Sequence, residues 1–270
     1  MLATALASRL LIRRSLARTL VAERRARSAE RLAEIGAMTG GLAHEIKNPL
    51  STLGLNVQLL EEGLNELEID EEKRSRLTRR LHSLKREVDR LRGILQDFLE
   101  YAGELRLDMK VADLNTAVDE LADFFLPQAE KSGVRLRLDL APGKLLADMD
   151  SQRVKQAALN LMLNAVQVMG GLDAQVPAAR ELIVRTARET DPENRQFVTL
   201  HVIDTGPGIA KDRQQKIFDP YFTTKAGGTG LGLPTSRRII EAHHGRLELI
   251  SELGKGTDFV IKLPAVAAQI

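Results

Sequence analysis

The chain has 270 residues, 43% of them hydrophobic and 3% aromatic, with no Cys, no Trp and a formal net charge of +2. That length allows one or two domains whose cores must be built from Leu, Ile, Val, Ala and Met, and the lack of cysteine excludes a disulfide scaffold and suits a reducing cytoplasm. The small net charge is unevenly placed: Arg9, Arg13, Arg14, Arg18, Arg24, Arg25, Arg27 and Arg31 crowd residues 1–31 against Glu23 and Glu30. This end reads in three ways: as an Arg-rich organelle presequence, as the cytoplasmic flank of a membrane helix, or as a helix continuing into the next element. Its apolar run from Leu2 to Ile12 is interrupted by Arg9 and is too short to span a bilayer. We read residues 1–31 as a signal-input helix or membrane-proximal segment, fed by an upstream sensor, a membrane segment or a partner. No nucleic-acid motif accompanies the arginines, so no nucleic-acid partner is expected.

From Leu32 through Ile35, Leu42, Ile46, Leu53, Val57, Leu60 and Leu64 the apolar positions recur every three or four residues, which predicts one long helix. At about 100° per residue, Leu42, Ile46, Pro49 and Leu53 share a seam, and His44 lies almost opposite it, facing water. Asn48 is one turn beyond His44 on the same face, and Glu45 flanks the imidazole closely enough to accept its proton. Gly40 and Gly41, one turn before His44, leave room for a bulky group to approach. Pro49 predicts a kink just after this constellation. A zinc-protease reading needs a second His four residues after the first, and that position is Asn48.

Gly63 and the polar run Glu66 to Lys73 predict a turn. Beyond it Leu77, Leu81, Leu84, Val88, Leu91, Leu95, Phe98, Ala102 and Leu105 alternate steps of four and three, a sustained heptad seam. Two such helices cannot bury their seams alone, so residues 32–105 are expected to form a hairpin that pairs with its twin as a four-helix bundle in a homodimer.

Composition changes near Arg106. Asp113 to Lys131 reads as an amphipathic helix, Val134 to Leu140 as a strand ending in a turn, and Ser151 as the cap of a helix reaching about Met169. Glu181 to Thr190 and Gln196 to Asp204 read as strands, Pro234 to His244 as a helix, and Arg246 to Ser251 and Asp258 to Leu263 as closing strands. Residues 106–270 are thus expected to fold as a two-layer α/β sandwich.

Four motifs lie in this region. Asn160 and Asn164 stand at i and i+4 on one helical face, and amide oxygens are hard, neutral ligands for magnesium. Asp204-Thr205-Gly206-Pro207-Gly208 puts a carboxylate at a strand end, able to accept from the amino group of adenine, with glycines that let the backbone approach the base. Phe218 to Lys225 is an aromatic patch in a chain poor in aromatics. Gly228-Thr229-Gly230-Leu231-Gly232-Leu233 leads into a helix and offers backbone N–H groups to phosphates. It lacks the Rossmann spacing, and no GxxxxGK(S/T) loop occurs elsewhere.

His44-Glu45-Ile46-Lys47-Asn48-Pro49 resembles the HExxN-type phospho-acceptor box of two-component sensor histidine kinases. The four later motifs resemble, in order and spacing, the N, G1, F and G2 boxes of that family's ATP-binding domain, and Ser251, Gly254, Gly256 and Thr257 match its closing strands. The resemblance covers about residues 28 to 265. It implies a dimeric helical hairpin followed by an α/β ATP-binding domain of Bergerat type, and ATP and Mg²⁺ as cofactors. It further implies autophosphorylation of His44 and passage of the phosphoryl group to an aspartate on a response regulator receiver domain. By the same resemblance, Glu45 accepts the proton and Asn48 positions water for a regulator phosphatase activity. Asn164 would be the main magnesium ligand with Asn160 beside it, Asp204 with Gly206 and Gly208 would hold adenine, and Lys225 with the loop Gly228 to Leu233 would hold phosphates. The segment from about Ile209 to Thr229 would be a mobile lid.

Asn160 stands where related hydrolytic ATPases carry a catalytic Glu, so water activation should be slow and the γ-phosphoryl left for His44. His244 stands where many relatives have Gly. Alternatives from other classes are a phosphatase-dominant regulator and a dimeric scaffold with a vestigial nucleotide site. The expected location is cytoplasmic, at the inner face of the plasma membrane if the chain is a fragment of a membrane sensor.

Overall fold

A computed structural model describes residues 46, 48–64, 70–170, 180–225 and 228–266. The expected signal-input segment 1–31, the small residues Gly40 and Gly41, and the pair His44 and Glu45 lie outside the described residues. The chain divides into two compact units, Met1–Glu104 and Leu105–Ile270.

In the first unit, helix α1 (48–64) and helix α2 (Glu71–Ala102) are both described. The Asp70 carboxylate caps α2 by accepting from the Lys73 N–H at 3.4 Å, and Gly103 ends it with a bond to the Leu99 carbonyl. The Glu61 carboxylate of α1 accepts from the His82 ring N–H of α2 across 2.6 Å, with Lys85 also within 3.7 Å of the same carboxylate. The expected seams split into alternate halves. Val57 and Leu64 on α1 are buried, whereas Ile46, Leu53 and Leu60, offset within the same heptads, are 41%, 50% and 61% exposed. On α2, Leu81, Val88 and Leu95 are half-buried while Leu77, Leu84 and Leu91 stay exposed. Among the described residues, one half of each seam is therefore covered and the other is not.

The second unit places helices α3 (Leu114–Lys131), α4 (Ser151–Gly170) and α5 (Gly232–Ala242) against a five-stranded sheet. The sheet is formed by β2 (Arg135–Asp139), β4 (Glu181–Thr190), β5 (Gln196–Asp204), β6 (Arg246–Glu252) and β7 (Gly256–Pro264), in the order β2-β4-β5-β7-β6. The β2–β4 pair is parallel and the others are antiparallel. Leu114, Phe125, Leu161, Met169, Leu182, Leu200, Ile240 and Leu263 lie in one continuous core, built almost entirely from aliphatic side chains.

Two strands escape the sequence reading. β1 (Lys110–Asp113) and β3 (Leu146–Met149) form a separate antiparallel pair of four residues each, too short to show a period. Caps also differ from expectation. Asp113 precedes α3 as its cap, accepting from Asn115 and Leu145, and Asp150 rather than Ser151 caps α4, accepting from the Gln152 and Arg153 N–H groups at 3.0 and 3.1 Å. α5 begins at Gly232, two residues before the expected Pro234, because Pro tolerates the first helical turn. It ends at Ala242, and His244 then takes φ 58°, the left-handed position that favours glycine.

His243 is buried and fully bonded: Nδ1–H donates to the Ile239 carbonyl at 2.7 Å while Nε2 accepts from the Asp150 N–H at 3.0 Å. This bond ties the end of α5 to the start of α4, the two helices that carry the asparagine and glycine motifs. Among the described residues no helix is long and apolar enough to cross a membrane.

Candidate functional site

Strand β5 alternates Val198, Leu200, Val202 and Asp204 on its inward face, and all four are buried. The last member of an apolar stripe is thus a carboxylate. Asp204 Oδ1 accepts from the Gly206 N–H at 2.8 Å, and the Thr257 backbone N–H of β7 is a second donor. Burial nevertheless pushes the Asp204 carboxyl from 3.8 up to about 6, against the two backbone donors and the Lys225 charge that pull it down.

The glycines around it are held by close approach. Gly208 has φ 70°, and a Cβ there would lie 2.1 Å from the Glu252 carbonyl; Gly256 has φ 95°, and a Cβ would lie 2.0 Å from the Asp204 carbonyl. A Cβ on Gly206 would sit 2.7 Å from Asp204 Oδ1, crowding the acceptor itself. Gln214 braces the start of the following segment by donating to the carbonyls of Ile209 and Ser251, both at 2.9 Å.

The aromatic motif divides. Phe218 is buried, edge-on to Phe259 at 6.3 Å, with the Arg237 guanidinium 3.6 Å from its ring centroid. Tyr221 is exposed and holds φ 64°, and its N–H bonds the Gly230 carbonyl at 3.2 Å, joining the two ends of the segment 221–230. Of that segment, residues 226 and 227 lie outside the described residues.

Lys225 reaches α4. Its Nζ donates to Asn164 Oδ1 at 2.7 Å and Gln167 Oε1 at 2.9 Å, with the Asn164 carbonyl at 3.5 Å. Burial lowers the Lys225 pKa, and the Asp204 charge opposes that effect. Asn160 turns instead to the glycine motif, its Nδ2 3.5 Å from the Gly232 carbonyl. Gly228, Thr229, Gly230, Leu231, Gly232 and Leu233 run into the amino terminus of α5, where Thr229 Oγ1 accepts from the Leu231 N–H and Ser236 Oγ donates to the Gly232 carbonyl.

These residues, dispersed over the sequence, form one site rimmed by a carboxylate, a cation and a helix amino terminus. The oxygens of Asn164 and Gln167 already hold an ammonium, so their chemistry suits a hard cation, and the α5 amino terminus suits an anion. Gln167 was missed in the sequence, although its spacing of i+3 from Asn164 and i+7 from Asn160 is the signal that could have found it. In the first unit, Asn48 is exposed on α1, and its carbonyl accepts from Thr52 Oγ1 at 3.1 Å.

Two family models match the chain: the His kinase A (phospho-acceptor) domain over residues 34–103, and the histidine kinase-, DNA gyrase B- and HSP90-like ATPases over residues 149–267. The signal transduction histidine-protein kinase AtoS of Escherichia coli K12 is 33% identical over 250 residues, which is 90% of this chain and 37% of AtoS. The sensor histidine kinase ZraS of the same strain is 34% identical over 87% of this chain and 46% of its own length. The chain therefore spans about half or less of these relatives. Among solved structures, full-length ShkA in complex with AMPPNP has a TM-score of 0.66 at 26% identity, covering 86% of this chain and 46% of ShkA. Histidine kinase ThkA in complex with the response regulator protein TrrA has a TM-score of 0.59 at 27% identity, covering 89% of this chain and 65% of that one.

Proposed function

The chain belongs to the two-component sensor histidine kinases, and from that premise we propose that it transfers the γ-phosphoryl of ATP to His44 and thence to an aspartate of a response regulator. The observation that carries this reading is the assembled site around Asp204, where a buried carboxylate, a lysine held by amides and a glycine-lined helix start meet. Asp204 accepts from the adenine amino group beside Gly206 and Gly208, and Lys225 and the backbone from Gly228 to Leu233 hold the phosphates. Magnesium, held by Asn164 and its neighbour Asn160, would neutralise charge on the transferring group. A neutral ring nitrogen of His44 attacks phosphorus in line, an N–P bond forms as the bond to the ADP oxygen breaks, and Glu45 takes the imidazole proton. Asn160 is an amide and cannot deprotonate water, which supports transfer to His44 over hydrolysis.

The exposed halves of the two heptad seams support a homodimer. Ile46, with Leu53 and Leu60 of α1, and Leu77, Leu84 and Leu91 of α2 recur at seven-residue spacing and find no cover within the chain's described residues. A second copy, presenting the same two stripes, would cover them as a four-helix bundle.

Incubating the chain with γ-labelled ATP and Mg²⁺ tests the reading: it should acquire an acid-labile, alkali-stable label that a cognate receiver domain removes. Nucleotide binding without label would favour a phosphatase-dominant regulator. Neither binding nor label would leave a scaffold.

The Asp204 carboxylate adds a pH dependence. Adenine donates to the ionised form, so affinity should rise with pH through about 6 and level off above it. If only the ionised form binds, affinity at pH 5 should be about tenfold below that at pH 8. The same raised pKa acts oppositely on stability: the folded state holds this proton more tightly than the unfolded chain. Its contribution is fully present below 3.8 and is lost as pH rises through about 6. At about 1.4 kcal/mol per pH unit, keeping Asp204 ionised costs about 3 kcal/mol. Asp204→Asn should therefore melt higher at pH 8, bind ADP more weakly, and lose the parent's extra pH dependence in calorimetry. Equal ADP affinity in the variant would contradict the adenine assignment.

Two variants separate the activities proposed for the acceptor face. Asn48 can orient water but cannot deprotonate an imidazole, so Asn48→Ala should keep substantial autokinase activity and lose phosphatase activity toward the phosphorylated regulator. Glu45→Ala should cripple labelling of His44. The measurement is the decay of regulator phosphate beside the growth of label on the kinase; undiminished decay with Asn48→Ala would remove the bifunctional reading.

A further inference from the structure

The Lys225 ammonium has one acceptor for each of its three protons, all supplied by a single stretch of α4: Asn164 Oδ1 at 2.7 Å, Gln167 Oε1 at 2.9 Å and the Asn164 carbonyl at 3.5 Å. Gln167 is an exposed residue near the end of α4, free to point into water, yet its amide oxygen turns to this cation. The backbone of Lys225 is itself held in a tight turn, its N–H bonded to Thr223 Oγ1 at 3.1 Å and its carbonyl accepting from the Gly228 N–H at 3.3 Å. Lys225 is thus an internal cation, carried on the segment between the aromatic and glycine motifs and seated on hard amide oxygens.

We propose that Gln167 is a cation-positioning residue of this site, and that Lys225 and a divalent ion exchange on the Asn164–Gln167 oxygens. The proposal rests on the kinase reading and deepens it. Two cations cannot share acceptors only about 3 Å from each without strong repulsion. A magnesium ion seated on Asn164 therefore displaces the ammonium, and the displaced lysine becomes available to phosphate oxygens. The charge near the phosphates changes in step with metal loading, so the lid lysine engages only when the ion is in place. Gln167 holds Lys225 on α4 in the absence of the ion, and the oxygen it frees would help to hold the ion.

The test is amine acylation of Lys225 in the full chain, read by peptide mass spectrometry, in EDTA and across a Mg²⁺ titration without nucleotide. An ammonium bonded to three oxygens acylates slowly, so Mg²⁺ should accelerate labelling of Lys225 in the parent. Losing one charge-assisted hydrogen bond, Gln167→Ala should label about tenfold faster in EDTA. Lys225→Ala, lacking the internal competitor, should require less Mg²⁺ for half-maximal binding of ADP, while Gln167→Ala should require more. Labelling of Lys225 that responds neither to Mg²⁺ nor to Gln167→Ala would overturn the exchange. So would a Mg²⁺ midpoint for ADP unchanged in both variants. ADP binding by the parent, measured first, keeps the outcomes apart: its absence would remove the kinase reading, whereas its presence with an indifferent Lys225 removes only this proposal.

Discussion

His44→Gln is expected to reduce incorporation of labelled phosphate from γ-labelled ATP to background, the largest effect of any single substitution in this chain. A neutral imidazole has a ring nitrogen with a free lone pair and a proton on the other nitrogen that a neighbouring carboxylate can hold or take. A glutamine carboxamide has similar size and polarity, but its nitrogen lone pair is delocalised into the carbonyl and cannot attack phosphorus. Glu45 would then have no proton to accept. The proposed nucleotide site draws only on residues of the unit Leu105–Ile270, so ADP affinity in the variant should match the parent. Label and affinity are measured on the same preparation. Persistent acid-labile label in His44→Gln would move the acceptor elsewhere, with His82 the first residue to replace next, and would sink the mechanism.

Gly256→Ala should collapse the proposed nucleotide site around Asp204. Gly254 and Gly256 flank Lys255 in the turn joining β6 to β7, and both have positive φ, 83° and 95°. They differ in space: a Cβ on Gly254 meets nothing within 4 Å, whereas one on Gly256 would stand 2.0 Å from the Asp204 carbonyl. Gly254→Ala should therefore cost only backbone strain, about 1 kcal/mol. Gly256→Ala adds a collision with backbone that no side-chain rotation relieves, so a loss of about 4 kcal/mol is expected. For a unit of this size, that corresponds to a fall in melting midpoint of about 12 °C against about 3 °C for Gly254→Ala. The damage falls where Asp204 pairs with Thr257 across β5 and β7, and the Thr257 N–H is one of the donors to the Asp204 carboxylate. Nucleotide binding should thus be lost in Gly256→Ala and retained in Gly254→Ala. Thermal unfolding and ADP calorimetry on both variants decide it, and near-identical midpoints would show that β7 shifts to accept the methyl.

What the sequence determined by itself is the part that spacing encodes along one element. The three-and-four repeat of α2, the inward alternation that ends at Asp204, and the order of the asparagine, aspartate, aromatic and glycine motifs are all local, because helix and strand periods dictate which residues share a face. The likeness to a kinase family followed from those motifs and their order, and the family models match the same stretches. What only the tertiary structure decided depends on residues far apart in the chain. Heptad spacing marks Leu81 and Leu84 alike as seam positions, and only the folded structure leaves one half-buried and the other exposed. β1 and β3 are four residues each, and their pairing supplies what no period could announce. Asp150 and Ser151 are both competent helix caps by residue type, and the backbone direction entering α4 selects Asp150. The carboxyl of Asp204 is raised to about 6 because the fold buries it, and Lys225 meets Gln167 across 58 residues of chain. Burial and long-range pairing are sums over neighbours brought together by the fold, so a linear pattern carries the residue types but not their surroundings.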